Sequence, residues 1–165
     1  MIEVKELTDD EIIELLKSAG YGHLGCSRGN EPYVVPIHFA FDDGEIFVYT
    51  TEGKKYEIIK QNPRVCLQAE EVIDNQHWQS VIVDGEATQI IDETERERAM
   101  KLILAVNSTL TPAVSVRWLD SWVRENIEVI YRIHPLEMSG RRSSTGSLDN
   151  ANFIPSSERT RNILN

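Results

Sequence analysis

The stretch Tyr33–Ala69, YVVPIHFAFDDGEIFVYTTEGKKYEIIKQNPRVCLQA, decides the fold. Val34 to Phe41 is crowded with β-branched and aromatic residues, the composition of a strand. Asp42-Asp43-Gly44 offers residues that accept positive φ, so the chain turns and Glu45 to Thr50 returns as the second strand of a hairpin. Thr51-Glu52-Gly53-Lys54-Lys55 then opens a short helix, Tyr56 to Gln61. Pro63 stops that helix, because proline pushes the preceding Asn62 out of α geometry. Arg64 to Ala69 is strand again.

The junction Thr50–Lys55 carries the functional signal. A helix start has unpaired N–H groups and the positive end of the helix dipole. Thr50 and Thr51 add hydroxyls, Gly53 lets an anion approach the backbone, and Lys54 and Lys55 add charge. Together they make a phosphate seat. The same residues also fit an ordinary capped helix with two solvated lysines.

In the first strand of the hairpin, Val35, Ile37, Phe39 and Phe41 alternate with Val34, Pro36, His38 and Ala40. One set faces a barrel interior and the other a helix, a partner or a ligand. His38 lies opposite Ile37 and Phe39. There it either donates to a bound ring or protonates a substrate near neutrality, or it is a hydrogen-bonded structural histidine. Pro36 has no N–H and suggests an irregular or edge position.

Upstream, Thr8-Asp9-Asp10-Glu11 is a capping box, Ile12, Leu15 and Leu16 form one helical face, and the helix ends near Gly20. Gly22 to Ser27 reads as a strand containing a structural His23, and Arg28-Gly29-Asn30 turns into the hairpin. Downstream, Glu70 to His77 reads as a polar loop whose acids and His77 lack the spacing of a metal site, so no metal is expected. Trp78 to Ile91 is a long strand with Val81, Val83, Gly85 and Ala87 on one face. Asp92 caps another helix that buries Met100, Ile103 and Leu104. Pro112 to Arg124 has Val114, Trp118 and Trp122 at helical spacing, and Ile127 to Ile133 alternates as the last strand. The composition turns polar from Ser139, which suggests a domain over 1–140 and a polar tail over 141–165.

With 165 residues the chain is long enough for one domain with a real core. Its net charge of −10 argues against nucleic acid and anionic membrane surfaces as partners. Cys26 and Cys66 have no CxxC spacing and read as small buried hydrophobes. The first residues lack a basic region followed by an apolar run, and no stretch reaches membrane-spanning length, so a cytoplasmic protein is expected.

The order and spacing of several short motifs resemble the pyridoxamine 5'-phosphate oxidase-like, FMN-binding split-barrel proteins, nearest the branch of the nitroimidazole-resistance proteins. The motifs are Leu24-Gly25-Cys26, Glu31-Pro32, Val35-Pro36, Gly53-Lys54-Lys55, Asn62-Pro63-Arg64-Val65-Cys66 and Trp78-Gln79-Ser80-Val81. The resemblance covers roughly residues 8 to 140. It implies a mainly β fold, a six-stranded antiparallel split barrel with flanking helices, and a homodimer with FMN in grooves between subunits. It places Val35, Pro36, Ile37 and His38 along the flavin ring, with His38 as the candidate catalytic group. Tyr49, Thr50, Thr51, Lys54 and Lys55 would hold the phosphate, and Trp78, Gln79 and Ser80 belong to a strand that contacts flavin in the dimer. The implied function is an FMN-dependent oxidoreductase acting on a small molecule, with NADH or NADPH as a partner. Two other readings remain. One is a non-catalytic FMN or haem module, with His23, His38, His77 or His134 as axial ligand. The other is a deazaflavin-dependent reductase. The C-terminal Trp and Arg pattern of true pyridoxamine phosphate oxidases is missing, and Tyr49 stands where nitroimidazole-resistance members often carry His, so no substrate is implied.

Overall fold

A computed structural model describes residues 2–107, 117–119, 122–124 and 128–144. Strands β2 (Tyr21–Arg28), β3 (Glu31–Asp42), β4 (Glu45–Thr51), β5 (Arg64–Asp74), β6 (His77–Gln89) and β9 (Glu128–Ser144) form a closed antiparallel ring. The order is β9-β4-β3-β2-β5-β6, and β6 returns to β9. This is the expected six-stranded barrel. A seventh strand, β1 (Glu3–Glu6), was not legible in the sequence; it pairs with the far end of β9, from Glu6↔Arg141 to Glu3↔Ser144. The edge of β9 that pairs with β4 at Glu128–Ile133 therefore pairs with β1 at 141–144, and the barrel is split between them.

Alternation sorts the side chains. Leu24, Phe39, Ile46, Val48, Leu67, Val81, Val83 and Ile133 are buried in the interior. Helix α1 (Asp9–Ala19) packs Ile12, Leu15 and Leu16 into it near the far end of β9, where Leu7 N–H donates to the Gly140 carbonyl at 2.9 Å. Helix α2 (Lys54–Gln61) adds Ile58 and Ile59 from the other end. Helix α3 (Glu93–Val106) covers the outer face of β3, β4 and β9, packing Ala99 and Ile103 against Ala40, Phe47, Tyr49 and Ile130.

Several expectations are corrected. Glu70 to Asp74 is strand, not loop. β5 and β6 form a long hairpin with a bulge after Val72, and Asp74 closes its turn by accepting from the N–H groups of Gln76 and His77 at 2.7 and 2.9 Å. Ser139–Ser144 is the end of β9 rather than tail, because β1 and β6 supply partners that its polar composition does not advertise. Within the helix expected over Pro112–Arg124, the described residues are strands instead, β7 (Arg117–Leu119) and β8 (Trp122–Arg124), paired antiparallel in a composition of tryptophan and valine that suits strands. Val114, and residues 145–165 of the polar tail, lie outside the described residues. Leu104 is exposed, and Ala99 takes its place under α3. Cys26 is buried in the interior, Cys66 lies half-buried on the outer face of the next strand, and both thiols are free.

Candidate functional site

The site is built where β3 and β4 part. Their register runs only from His38↔Tyr49 to Asp42↔Glu45, whereas β3 stays paired with β2 from Tyr21↔His38 to Arg28↔Glu31. Residues 31–37 of β3 therefore present an edge without a ladder on the β4 side. Pro36, which has no N–H to offer, sits on that edge. From Thr51 the chain leaves the sheet and starts α2 beside it.

The start of α2 lacks a side-chain cap. Gly53 is the N-cap residue, with φ 165°, an extended conformation open to any residue. The first turn begins with Lys54 and Lys55, the wrong sign for the positive end of a helix dipole, and Glu57 is the one acidic residue that follows them in it. Neither lysine makes an ion pair among the described residues. Lys54 is exposed, and its Nζ lies 5.0 Å from the centre of the Tyr33 ring. Lys55 is half-buried, and burial pulls its ammonium below the ordinary lysine range, with Cys26 partly countering. Burial likewise raises the Cys26 thiol, against the pull of Lys55 and Lys54. Cys26 and Tyr33 are themselves a cross-strand pair of β2 and β3. Thr50 is buried at the end of β4, on the interior face with Val48. A partly desolvated cation at an open helix start is a donor set suited to an anion such as a phosphate.

The other residues singled out from sequence divide by face. Val35 packs against the interior core and Ile37 is buried in it, so Ile37 can offer a ligand only its backbone. Pro36 is exposed on the outer side, and Thr51 lies half-buried beside Glu128 in the β4–β9 ladder. Tyr49 is buried under α3, and its hydroxyl donates to Glu128 Oε1 at 2.9 Å; burial and that carboxylate push the phenol up to about 12. Its ring therefore points away from the phosphate seat.

His38 is half-buried between Tyr21, whose ring meets it edge-on at 5.4 Å, and the end of α3. Asn107, the C-cap of α3, donates through Nδ2 to the carbonyls of Phe39 and Ile103, so its Oδ1 accepts from His38 Nδ1 at 3.0 Å. That bond puts the proton of the neutral ring on Nδ1 and leaves Nε2 as an acceptor with no hydrogen-bond partner among the described residues. His38 thus pins α3 to β3 with one nitrogen, a tie that sequence alone could not show because Asn107 lies 69 residues away.

Trp78, Gln79 and Ser80 lie elsewhere. Thr51 pairs with Glu128 on β9, whereas Gln79 pairs with Arg142, fourteen residues further along the same strand. At about 3.3 Å per residue this is roughly 45 Å of strand path. Gln79 there bonds the buried Glu71, and Trp78 N–H donates to Ser143 Oγ at 3.0 Å. Among the described residues no cluster of His, Cys, Asp and Glu could hold a metal ion. No helix among them is long and apolar enough to cross a membrane.

This architecture has known counterparts. A crystal structure described as a FAD-binding protein from Mesorhizobium loti has 28% sequence identity and a TM-score of 0.70, and the match covers 88% of this chain and 100% of that one. A putative 5-nitroimidazole antibiotic resistance protein from Bacteroides thetaiotaomicron shares the fold, with 19% identity, a TM-score of 0.65 and coverage of 88% and 93%. An uncharacterized protein of Rhizobium meliloti is 30% identical over 82 residues, 50% of this chain, and the match spans about half (54%) of that relative's length. The family model described as pyridoxamine 5'-phosphate oxidase matches residues 8–142, and the chain belongs to that family.

Proposed function

We propose that the protein is an FMN-dependent oxidoreductase that works as a homodimer, with the flavin phosphate seated on the N-terminus of α2. The observation that carries this reading is the uncapped helix start, where the half-buried Lys55 has no anionic partner among the described residues. A bound phosphate satisfies the free N–H groups, restores a counter-charge to Lys55 and reverses the unfavourable sign of the first turn. The open edge of β3 over 31–37 then offers its backbone to the ring of the same cofactor. The flavin supplies hydride chemistry when bound. The chain's own residues bind and orient it, and His38 Nε2 stands as the acceptor on the outer face of β3.

Two features support the dimer. Trp78–Ser80 lie toward the other end of the sheet, their partner Arg142 being fourteen residues along β9 from the partner of Thr51, so a second copy is the proposed source of this strand at the α2 start. The outer side of the sheet also exposes Val34 (63%) on β3, Tyr21 (48%) on the adjacent β2 and Ile82 (45%) on β6, one strand further on across β5. Covering such a face with a second copy buries apolar area and brings the partner's β6 to the open edge.

FAD in place of FMN is a second reading, favoured by the description of the Mesorhizobium loti relative as FAD-binding. The two are separated by titrating FMN, FAD and riboflavin into apo-protein and following flavin absorbance and fluorescence. FMN binding far tighter than riboflavin, with one flavin per subunit of a dimer, is the expected result. Preference for FAD over FMN would select the second reading, and equal affinity for FMN and riboflavin would remove the phosphate seat. Oxidation of NADH or NADPH by the loaded protein then tests the enzymatic half of the proposal.

A further inference from the structure

We propose that Tyr33 is a positioning residue of this seat: its ring holds the Lys54 ammonium where a phosphomonoester arrives. The inference rests on the phosphate-seat reading and adds the element that orients one of its two cations. Tyr33 lies on β3, on the same face as Val35 and Ile37, and is partly buried against the barrel core. Its cross-strand partner on β2 is Cys26. Lys54 Nζ stands 5.0 Å from the Tyr33 ring centre, within cation–π range. The exposed lysine at the start of α2 thus rests on a side chain of the β2–β3 sheet.

This arrangement has a physical purpose. An exposed lysine has several rotatable bonds, and fixing it on an anion costs conformational entropy. A ring that already holds the ammonium reduces that cost before the ligand arrives, which is preorganisation. The aromatic face is also a replaceable partner: it attracts the cation but brings no negative charge, so a phosphate adds to the contact instead of having to displace a carboxylate. The other two cation–π contacts among the described residues, Lys60 over Tyr56 and Arg98 over Phe47, are longer at 5.9 and 5.7 Å, and Lys60 belongs to the last turn of α2.

The test uses full-length apo-protein in five forms: native, Tyr33→Phe, Tyr33→Leu, Lys54→Ala and the combined Tyr33→Leu/Lys54→Ala. FMN and riboflavin are titrated into each, and the ratio of their affinities is the readout. Tyr33→Phe keeps the aromatic face and should leave the ratio unchanged. Tyr33→Leu keeps apolar bulk but loses the face, and should lower the ratio by roughly two- to fivefold, the range of a surface cation–π contact. In the Lys54→Ala background, Tyr33→Leu should lower it no further. NMR of the apo-protein gives a readout without cofactor: the Lys54 ε-methylene protons should be shifted upfield by the ring in native and Tyr33→Phe protein. Absence of that shift overturns the proposal, even if the leucine variant fails to fold. Equal losses for FMN and riboflavin in Tyr33→Leu also overturn it, because the ring would then be touching the flavin itself. A ratio lowered by Lys54→Ala but not by Tyr33→Leu removes Tyr33 and keeps the seat. A ratio unmoved by Lys54→Ala removes Lys54 from the seat and this proposal with it, and the double-lysine variant then decides whether the seat itself survives.

Discussion

Two helix starts at opposite ends of the barrel obey opposite rules. At α1, Thr8 Oγ1 accepts from the Glu11 N–H, and Glu11 Oε2 accepts from the Thr8 N–H at 2.8 Å. Asp9, Asp10 and Glu11 fill the first turn, and the backbone hydrogen bond from Thr8, ahead of other contributions, holds the Glu11 carboxyl below its ordinary range. Arg142 of β9 pairs with the same carboxylate at 3.3 Å. Every local choice there favours the helix. At α2 the cap is missing and the first two residues are lysines. The third helix follows α1, with Asp92 accepting from the Glu95 N–H at 2.9 Å and Glu93 and Glu95 in its first turn. Departure from a rule that its neighbours keep marks a place selected for something other than stability. The departure at α2 has the sign an anion reverses.

The largest expected effect is at the exceptional end. Lys54→Ala/Lys55→Ala should weaken FMN binding by roughly ten- to a hundredfold, the worth of one effective charge-assisted contact. Riboflavin affinity should stay unchanged, and so should the fold, since the substitution removes an unfavourable charge arrangement from a helix start. Parallel titrations of the two ligands check this. Equal losses would place the phosphate elsewhere and leave the two helix starts without a functional difference.

The pH dependence sharpens the same contrast. Burial lowers the Lys55 pKa from its ordinary 10.5. Below the lowered value Lys55 is charged, and FMN gains the interaction; as pH rises through it, FMN affinity should fall while riboflavin affinity does not. The stability of the apo-protein should move the other way. Between the lowered value and 10.5 the unfolded chain binds the proton that the folded chain has released, so the contribution of Lys55 to stability rises with pH in that window. Phosphate binding draws the pKa back up, and FMN titration there should take up protons from buffer, which calorimetry in two buffers of different ionisation enthalpy detects. Lys55→Ala should abolish that uptake.

How far the sequence revealed this molecule depends on the range of the interactions. The barrel strands were readable because alternation is local: Val81, Val83, Gly85 and Ala87 were expected on one face, and all four are buried. The capping box at Thr8 was readable for the same reason, its partners being three residues apart. Strand β1 was not, because Glu3–Glu6 is exposed along its whole length and is a strand only through the far end of β9, from Glu6↔Arg141 to Glu3↔Ser144. Ser139–Ser144 was missed by the same logic. In the site, the open helix start with Lys54 and Lys55 was legible, whereas the supports were not. Neither the ring of Tyr33 beside Lys54 nor the bond from His38 to Asn107, 69 residues away, leaves a local pattern in the sequence. The parity of Tyr33 with Val35 and Ile37 was the available signal that its ring lies on the interior face of β3.

Two smaller substitutions should make the helix starts resemble each other. Thr8→Ala removes the cap of α1 and should cost about 1 kcal/mol of stability, read from urea unfolding, with no change in the ratio of FMN to riboflavin affinity. Gly53→Asp does the reverse at α2. No atom lies within 4 Å of the position a Cβ would take at Gly53, and its extended backbone suits an ordinary residue, so the substitution introduces no clash. The new carboxylate can accept from the open N–H groups of the first turn and sits beside Lys54 and Lys55. Reduced conformational freedom of the unfolded chain adds to the gain. Apo-protein stability should rise by about 0.5 kcal/mol or somewhat more, a shift of one to a few degrees in Tm for a chain of this length. The same carboxylate occupies the donors and cancels the charge that a phosphate needs. FMN affinity should therefore fall while riboflavin affinity holds, so stability and phosphate binding move in opposite directions from one residue. A variant that gained stability and kept full FMN affinity would show that the start of α2 is open for a reason other than phosphate.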